Sequence, residues 1–146
     1  MRKNYDAIII GAGIIGDCIS FEMAKKGYKT LNVDKLSSAG EGSTANSCGV
    51  IRTHYSTWDG AALAYEGSFY WKEWEKHLGV EDERGFAKYI NTGCLVFKTE
   101  RNMYLKNVCR NLTDLEIEWE ELTPDRIMEK MPVFNPRKFW PPRRPE

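Results

Sequence analysis

Along this chain the period of hydrophobic and polar positions changes several times, and each change marks an element. Ala7-Ile8-Ile9-Ile10 is a short apolar run bounded by Asp6 and Gly11, which predicts a strand. It passes directly into Gly11-Ala12-Gly13-Ile14-Ile15-Gly16, after which Ile15, Ile19 and Met23 recur at helical spacing. Ala24-Lys25-Lys26-Gly27 reads as the end of that helix, with lysines in the last turn and a glycine cap. Thr30-Leu31-Asn32-Val33-Asp34 predicts a second strand, parallel to the first. Further on, Asp59 is the expected N-cap of a long helix reaching Leu78-Gly79. Ala62, Tyr65, Phe69 and Leu78 would share one face, while Lys72, Glu73, Glu75 and Lys76 face water. Trp58, Trp71 and Trp74 make this stretch aromatic, the pattern of a core stripe. Lys88–Asn91 and Gly93–Lys98 are expected as short strands around a turn, and Glu100–Leu112 as a helix. Ile117–Leu122 predicts a glutamate-rich strand at an edge or on an exposed face. Thr123 then caps a helix that carries Pro124 at its first position.

The glycines between the first strand and helix carry specific chemistry. Gly11 permits a tight strand-to-helix turn, Gly13 lets a pyrophosphate approach bare backbone, and Gly16 lets the helix pack on the strand. Free N–H groups of the first helical turn face such phosphates, and the helix dipole favours their charge. Asp34 ends the second strand 18 positions after Gly16, placed to accept hydrogen bonds from a ribose hydroxyl. An acid there repels a 2′-phosphate, which argues against an NADP-type ligand. The expected fold class is α/β, a Rossmann-like FAD/NAD(P)-binding start (β-α-β) followed by α+β segments. Gly11, Ala12, Gly13, Ile14, Ile15, Gly16, Asp34 and Lys35 are the candidate cofactor-binding residues of this unit. The bland alternative is a βαβ crossover whose glycines serve packing alone. The glycines and the acid leave NAD and FAD both open.

Ser38-Ala39-Gly40-Glu41-Gly42-Ser43-Thr44-Ala45-Asn46-Ser47-Cys48-Gly49-Val50-Ile51-Arg52 resembles the second flavin-binding stretch of the D-amino-acid-oxidase-like family, which includes FAD-dependent sarcosine, glycine and dimethylglycine oxidoreductases. Asn91-Thr92-Gly93-Cys94-Leu95-Val96-Phe97 and the passage from Thr123 to Phe134 are similar to later parts of that family, more loosely. The resemblance implies FAD as cofactor, with Ser43, Thr44 and Ser47 contacting it. It implies a small-molecule amine or amino-acid substrate, oxidised at a C–N bond, and O2 or an electron-transfer acceptor. Arg52 falls where sarcosine oxidases place an arginine that anchors the substrate carboxylate, and a guanidinium suits a bidentate pair with that group. His54 and Tyr55 could line the same cavity or form a structural pair. No side chain is assigned a catalytic role, because a flavin accepts hydride itself. Ala45-Asn46 occupies the loop where dimethylglycine-type relatives attach FAD through a histidine, so that linkage is not expected.

Family members are commonly more than twice as long. The chain is therefore expected to be an N-terminal fragment without turnover of its own, divided into a cofactor part at 1–52 and partial helical and substrate-domain segments at 53–146. Two other functions stay open: an NAD-binding dehydrogenase fragment, or a non-catalytic remnant that binds a partner through the aromatic helix.

Composition narrows the partners. Twenty-one Lys+Arg balance twenty-one Asp+Glu, so no net field draws in nucleic acid or an anionic membrane. The basic cluster at Arg137-Lys138 and Arg143-Arg144 is short and broken by prolines, and reads as solvated surface. Cys18, Cys48, Cys94 and Cys109 show no C-x-x-C spacing, which indicates no metal site and suits reduced thiols in the cytoplasm. No apolar run approaches the ~20 residues of a membrane-spanning helix.

Overall fold

In the computed structural model, residues 4–98 and 103–134 are described. They form two compact units, divided between Val50 and Ile51.

The first unit contains strand β1 (Ala7–Ile10), helix α1 (Ile14–Lys25) and strand β2 (Thr30–Val33). The strands pair in parallel, with Ala7 opposite Thr30 and Ile10 opposite Val33. Alternation along a strand sends neighbouring side chains to opposite faces. Ile9 and Asn32 therefore share the face toward α1, and Asn32 Nδ2 donates to Ser20 Oγ at 3.1 Å and to Asp17 Oδ1 at 3.3 Å. On the other face Ile8 is 64% and Ile10 88% exposed. The isoleucine stripe of α1 also points outward, since Ile15 is 75% exposed. Gly16, Ser20 and Met23 form the more covered line instead. A helix that approaches a strand closely needs small residues in the contact, so side-chain size outweighs hydrophobicity here. α1 ends in a Schellman arrangement: Gly27, at φ +85, donates to Ala24 O, and Tyr28 donates to Met23 O.

The second unit contains α2 (Trp58–Lys72), α3 (Trp74–Leu78), α4 (Leu105–Asp114) and α5 (Pro124–Lys130). The single helix expected over Asp59–Leu78 is broken at Glu73, whose ψ of 36° lies outside helical values. On a continuous helix, side chains three apart diverge by about 60°. The break brings Trp71 and Trp74 into a stack at 4.5 Å, and His77 packs edge-on against Tyr70 at 4.8 Å. The N-cap is Thr57, in extended conformation, and Asp59 sits in the first turn, where its charge complements the dipole. The buried line of α2 is Ala61 and Ser68, one position round from the face expected through Ala62 and Phe69. Asn111 and Leu112 of α4 and Ile127 of α5 are the other buried residues of this unit among those described.

Residues 88–98 and 117–122 are irregular, which corrects the three strands expected there. A strand needs a ladder partner, and no partner strand stands beside these segments among the described residues. The Lys98–Glu121 ion pair links the segments instead, and Phe97 stacks at 5.3 Å on Phe134, beyond α5. The helix expected over Glu100–Leu112 runs from Leu105 to Asp114; residues 99–102 lie outside the described residues. Thr123 caps α5 as expected, its Oγ1 accepting the Arg126 N–H at 3.3 Å.

α4 closes with the same Schellman arrangement as α1, but the left-handed position holds Glu116, at φ +55. Its N–H donates to Thr113 O and the Ile117 N–H to Leu112 O. A non-glycine residue in that conformation costs roughly 1–2 kcal/mol. Glu116→Gly is therefore expected to stabilise the second unit by about 1 kcal/mol in urea unfolding, after allowing for glycine's greater unfolded-state freedom. An unchanged or lowered midpoint would show that the glutamate is not strained.

Candidate nucleotide site

The turn between β1 and α1 is built from backbone. Gly11, at φ +108, donates to Val33 O at 2.8 Å and leaves the sheet in a conformation suited to glycine. Gly13 is the N-cap of α1, at φ −92 and ψ −178, which any residue can adopt. Gly16 is fixed by space: a Cβ there would lie 1.9 Å from Gly11 O and 3.3 Å from Ile9 Cγ2.

Asp34, one residue beyond β2, ties the turn to the following loop. Its Oδ2 accepts the Ala12 N–H at 2.7 Å and its Oδ1 accepts the Leu36 N–H at 2.9 Å. The Ala12 bond, and after it the Leu36 bond, hold the carboxyl below the ordinary aspartate range. A group whose folded pKa is depressed contributes stability above its unfolded pKa and loses it as pH falls through the folded value. The Asp34–Ala12 link should therefore be constant through neutral pH and break only below about pH 4. The Ala12 amide, followed by NMR, is expected to shift with a midpoint below that of a free aspartate; a midpoint above 4 would contradict the bond.

The loop from Ser38 to Ser47 folds back on the turn. The Gly40 N–H donates to Ala12 O at 2.7 Å, and the Ile14 N–H donates to Thr44 Oγ1 at 3.0 Å. Glu41 braces the loop by accepting from the Ser37 hydroxyl at 2.9 Å and the Ser38 N–H at 3.2 Å. Thr44 thus stands beside Gly13, where a Cβ would lie 3.1 Å from its hydroxyl oxygen. Ser47 Oγ accepts the Gly49 N–H at 3.2 Å, and Ser43 is exposed. Ile10, Gly11, Val33, Asp34 and Lys35 line a shallow open depression of about 440 Å³. Gly40 is not among the contact residues that the sequence indicates. Its signal there is a glycine in a Gly/Ser-rich loop, and only the fold shows that its amide meets Ala12.

The residues present fit the ADP half of a dinucleotide. Ile15 and Gly16 lie in the first turn of α1, where an N–H has no acceptor within the helix. The backbone beside them is bare at Gly13, and an ionised carboxylate stands at the end of β2.

Arg52 belongs to the second unit. It is exposed, with Cζ 4.8 Å from the centre of the Tyr55 ring. His54 is held below the ordinary histidine range, first by partial burial and then by the Arg52 charge. No helix among the described residues is long and apolar enough to cross a membrane.

Residues 6–141 match the DAO family, described as FAD dependent oxidoreductase. The chain is 43% identical over 54 residues to a glycine oxidase of Bacillus licheniformis, covering 37% of this chain and 14% of that protein. It is 26% identical over 132 residues to the peroxisomal sarcosine oxidase of Homo sapiens, covering 90% of this chain and 32% of that protein. A squalene epoxidase of Saccharomyces cerevisiae is 55% identical over 32 residues, 22% of this chain and 6% of its own. The chain thus spans a third or less of the length of these relatives. No solved structure matches it. The family match covers most of the chain and both units, and it answers the choice between FAD and NAD that glycines and an acid leave open: this chain belongs to the DAO family of FAD-dependent oxidoreductases.

Proposed function

We propose that this chain supplies the ADP-binding part of an FAD-dependent enzyme that oxidises the C–N bond of an amino acid or N-methylated amine. The observation that carries this is the β1–α1 turn, where bare backbone, first-turn N–H groups and Asp34 converge within one compact unit. The amides of Gly13, Ile15 and Gly16 are the groups proposed to hold the pyrophosphate, with Gly11 and Ala12 setting the turn and the Ile14 amide, held by Thr44, bringing that hydroxyl to the site. Asp34 would take a ribose hydroxyl on lone pairs left by Ala12 and Leu36, since a carboxylate has about four acceptor sites. Lys35 lies beside it, exposed. The Thr44 oxygen accepts from Ile14, so its own hydrogen is available to a phosphate oxygen. Ser43 and Ser47 are the other proposed hydroxyl contacts from this loop.

When bound, FAD supplies the hydride acceptor. The chain's own part is then recognition and orientation. Arg52 would pair with the substrate carboxylate through two parallel N–H···O bonds, fixing the amine end relative to that group. The glycine and sarcosine oxidases among the relatives support a small amino acid or N-methylated amine as substrate, and O2 or an electron-transfer acceptor. A short stretch is shared with a squalene epoxidase, a protein named for a different substrate. Residues 1–52 are assigned to the cofactor and 53–146 to helical and substrate-domain segments. The four free cysteines suit the reducing cytoplasm as the compartment.

The test is a side-by-side titration of FAD, ADP and NAD against the 146-residue chain. FAD and ADP are expected to bind alike, because the contacts assigned here all fall on the ADP half. NAD tighter than FAD, or FAD binding that ADP does not compete away, would overturn the assignment.

A further inference from the structure

We infer that Asn111 positions Arg52, acting through Tyr55; this rests on the reading of Arg52 as the carboxylate anchor. Asn111 lies on α4, is 2% exposed, and its Nδ2 donates to the Tyr55 carbonyl oxygen at 3.1 Å, across 56 positions of sequence. The other buried polar side chain of this core, Ser68, bonds only within its own helix, to Tyr65 O at 2.7 Å. A local bond of that kind satisfies a hydroxyl and fixes nothing else. The Asn111 bond reaches out of α4 into residues 51–55, which carry no regular secondary structure and so have no ladder to hold them.

Tyr55 is held from a second side as well. The first turn of α2 lies against the tyrosine: a Cβ on Gly60 would stand in ordinary contact with Tyr55, 3.5 Å from its Cβ and 3.6 Å from its Cγ. With its backbone fixed by α4 and its side chain backed by α2, the Tyr55 ring becomes a rigid platform. The Arg52 guanidinium carbon stands 4.8 Å from its centre. Stacking on an aromatic face restrains a guanidinium while leaving its edge N–H groups free for a planar anion. A long exposed arginine otherwise loses much rotamer freedom on binding, and a preformed stack removes part of that loss. The buried amide thus serves a surface cation three residues from the carbonyl that it grips. A leucine at 111 would fill the core equally well and leave that carbonyl unanchored.

The experiment uses the 15N-labelled chain and the Arg52 Nε–H resonance, assigned by its disappearance in Arg52→Lys. The Tyr55 ring should displace this resonance from its random-coil position, and Tyr55→Leu should return it. Asn111→Ala and the isosteric Asn111→Asp are expected to abolish at least half of the displacement, with the backbone amides of α2 and α4 still dispersed. Full displacement in folded Asn111→Ala would overturn the inference. If both variants unfold, a urea titration of the unmodified chain decides. The Asn111 side-chain amide and the displaced Arg52 resonance should be lost in one step, and an Arg52 displacement that outlasts the amide would refute the link. Acetate, added separately, should move the Arg52 resonance. Failure of that response removes the anchor reading and leaves the ring displacement to report on Asn111 alone.

Discussion

Replacing Gly16 with alanine is expected to unfold the β1–α1 turn and with it the nucleotide site. Glycine to alanine inside a helix ordinarily stabilises by up to about 1 kcal/mol. Here the added Cβ would lie 1.9 Å from Gly11 O and 3.0 Å from Gly11 C, both backbone atoms of a turn that has no slack. Gly11 is itself held by its N–H bond to Val33 O, so it cannot retreat without breaking the end of the sheet. Steric overlap of this size outweighs the helix gain, and a net loss on the order of 3 kcal/mol or more follows. Urea unfolding of the first unit and loss of FAD affinity should move together. A Gly16→Ala chain as stable as the original would mean that α1 does not pack on β1 as the structure has it.

Gly13→Asp should separate binding from folding. At φ −92 and ψ −178 the backbone accepts any residue, and a Cβ would meet only the Thr44 hydroxyl, at 3.1 Å. A few tenths of an ångström of loop movement relieves that contact. The aspartate would, however, set a carboxylate where the pyrophosphate is proposed to lie. FAD or ADP affinity is expected to fall at least ~100-fold, about 2.7 kcal/mol, with the unfolding midpoint little changed. Gly13→Ala serves as the milder control, adding bulk without charge. Unchanged affinity in Gly13→Asp would move the phosphate site away from this turn. A large drop in stability would instead assign Gly13 to packing.

The contrast between these two glycines shows what could be read in advance. The β-α-β order, both strands and the end of α1 at Gly27 were legible because each depends on local chemistry: an apolar run, a helical period, a residue free to take positive φ. The Thr123–Pro124 helix start was legible for the same reason. The three strands expected at 88–91, 93–98 and 117–122 were not, since a strand exists only with a partner and alternation cannot show whether one is present. The inward face of α2 was misplaced by one position, from Ala62 to Ala61, because a helix with apolar residues on several sides does not determine its own rotation. Its break at Glu73 accompanies the stacking of Trp71 on Trp74, a contact between rings that neither residue signals alone.

By itself the sequence determined the motif class, the turn and the family, for these reside in short stretches whose spacing is set by covalent geometry. Tertiary structure decided how the pieces engage. It gave Asp34 two backbone donors, Ala12 and Leu36, and set Thr44 against the first amide of α1. It also joined buried Asn111 to Tyr55 from 56 positions away. Such contacts depend on where distant segments come to rest, and that position is fixed by the packing of whole elements, not by the residues that finally touch.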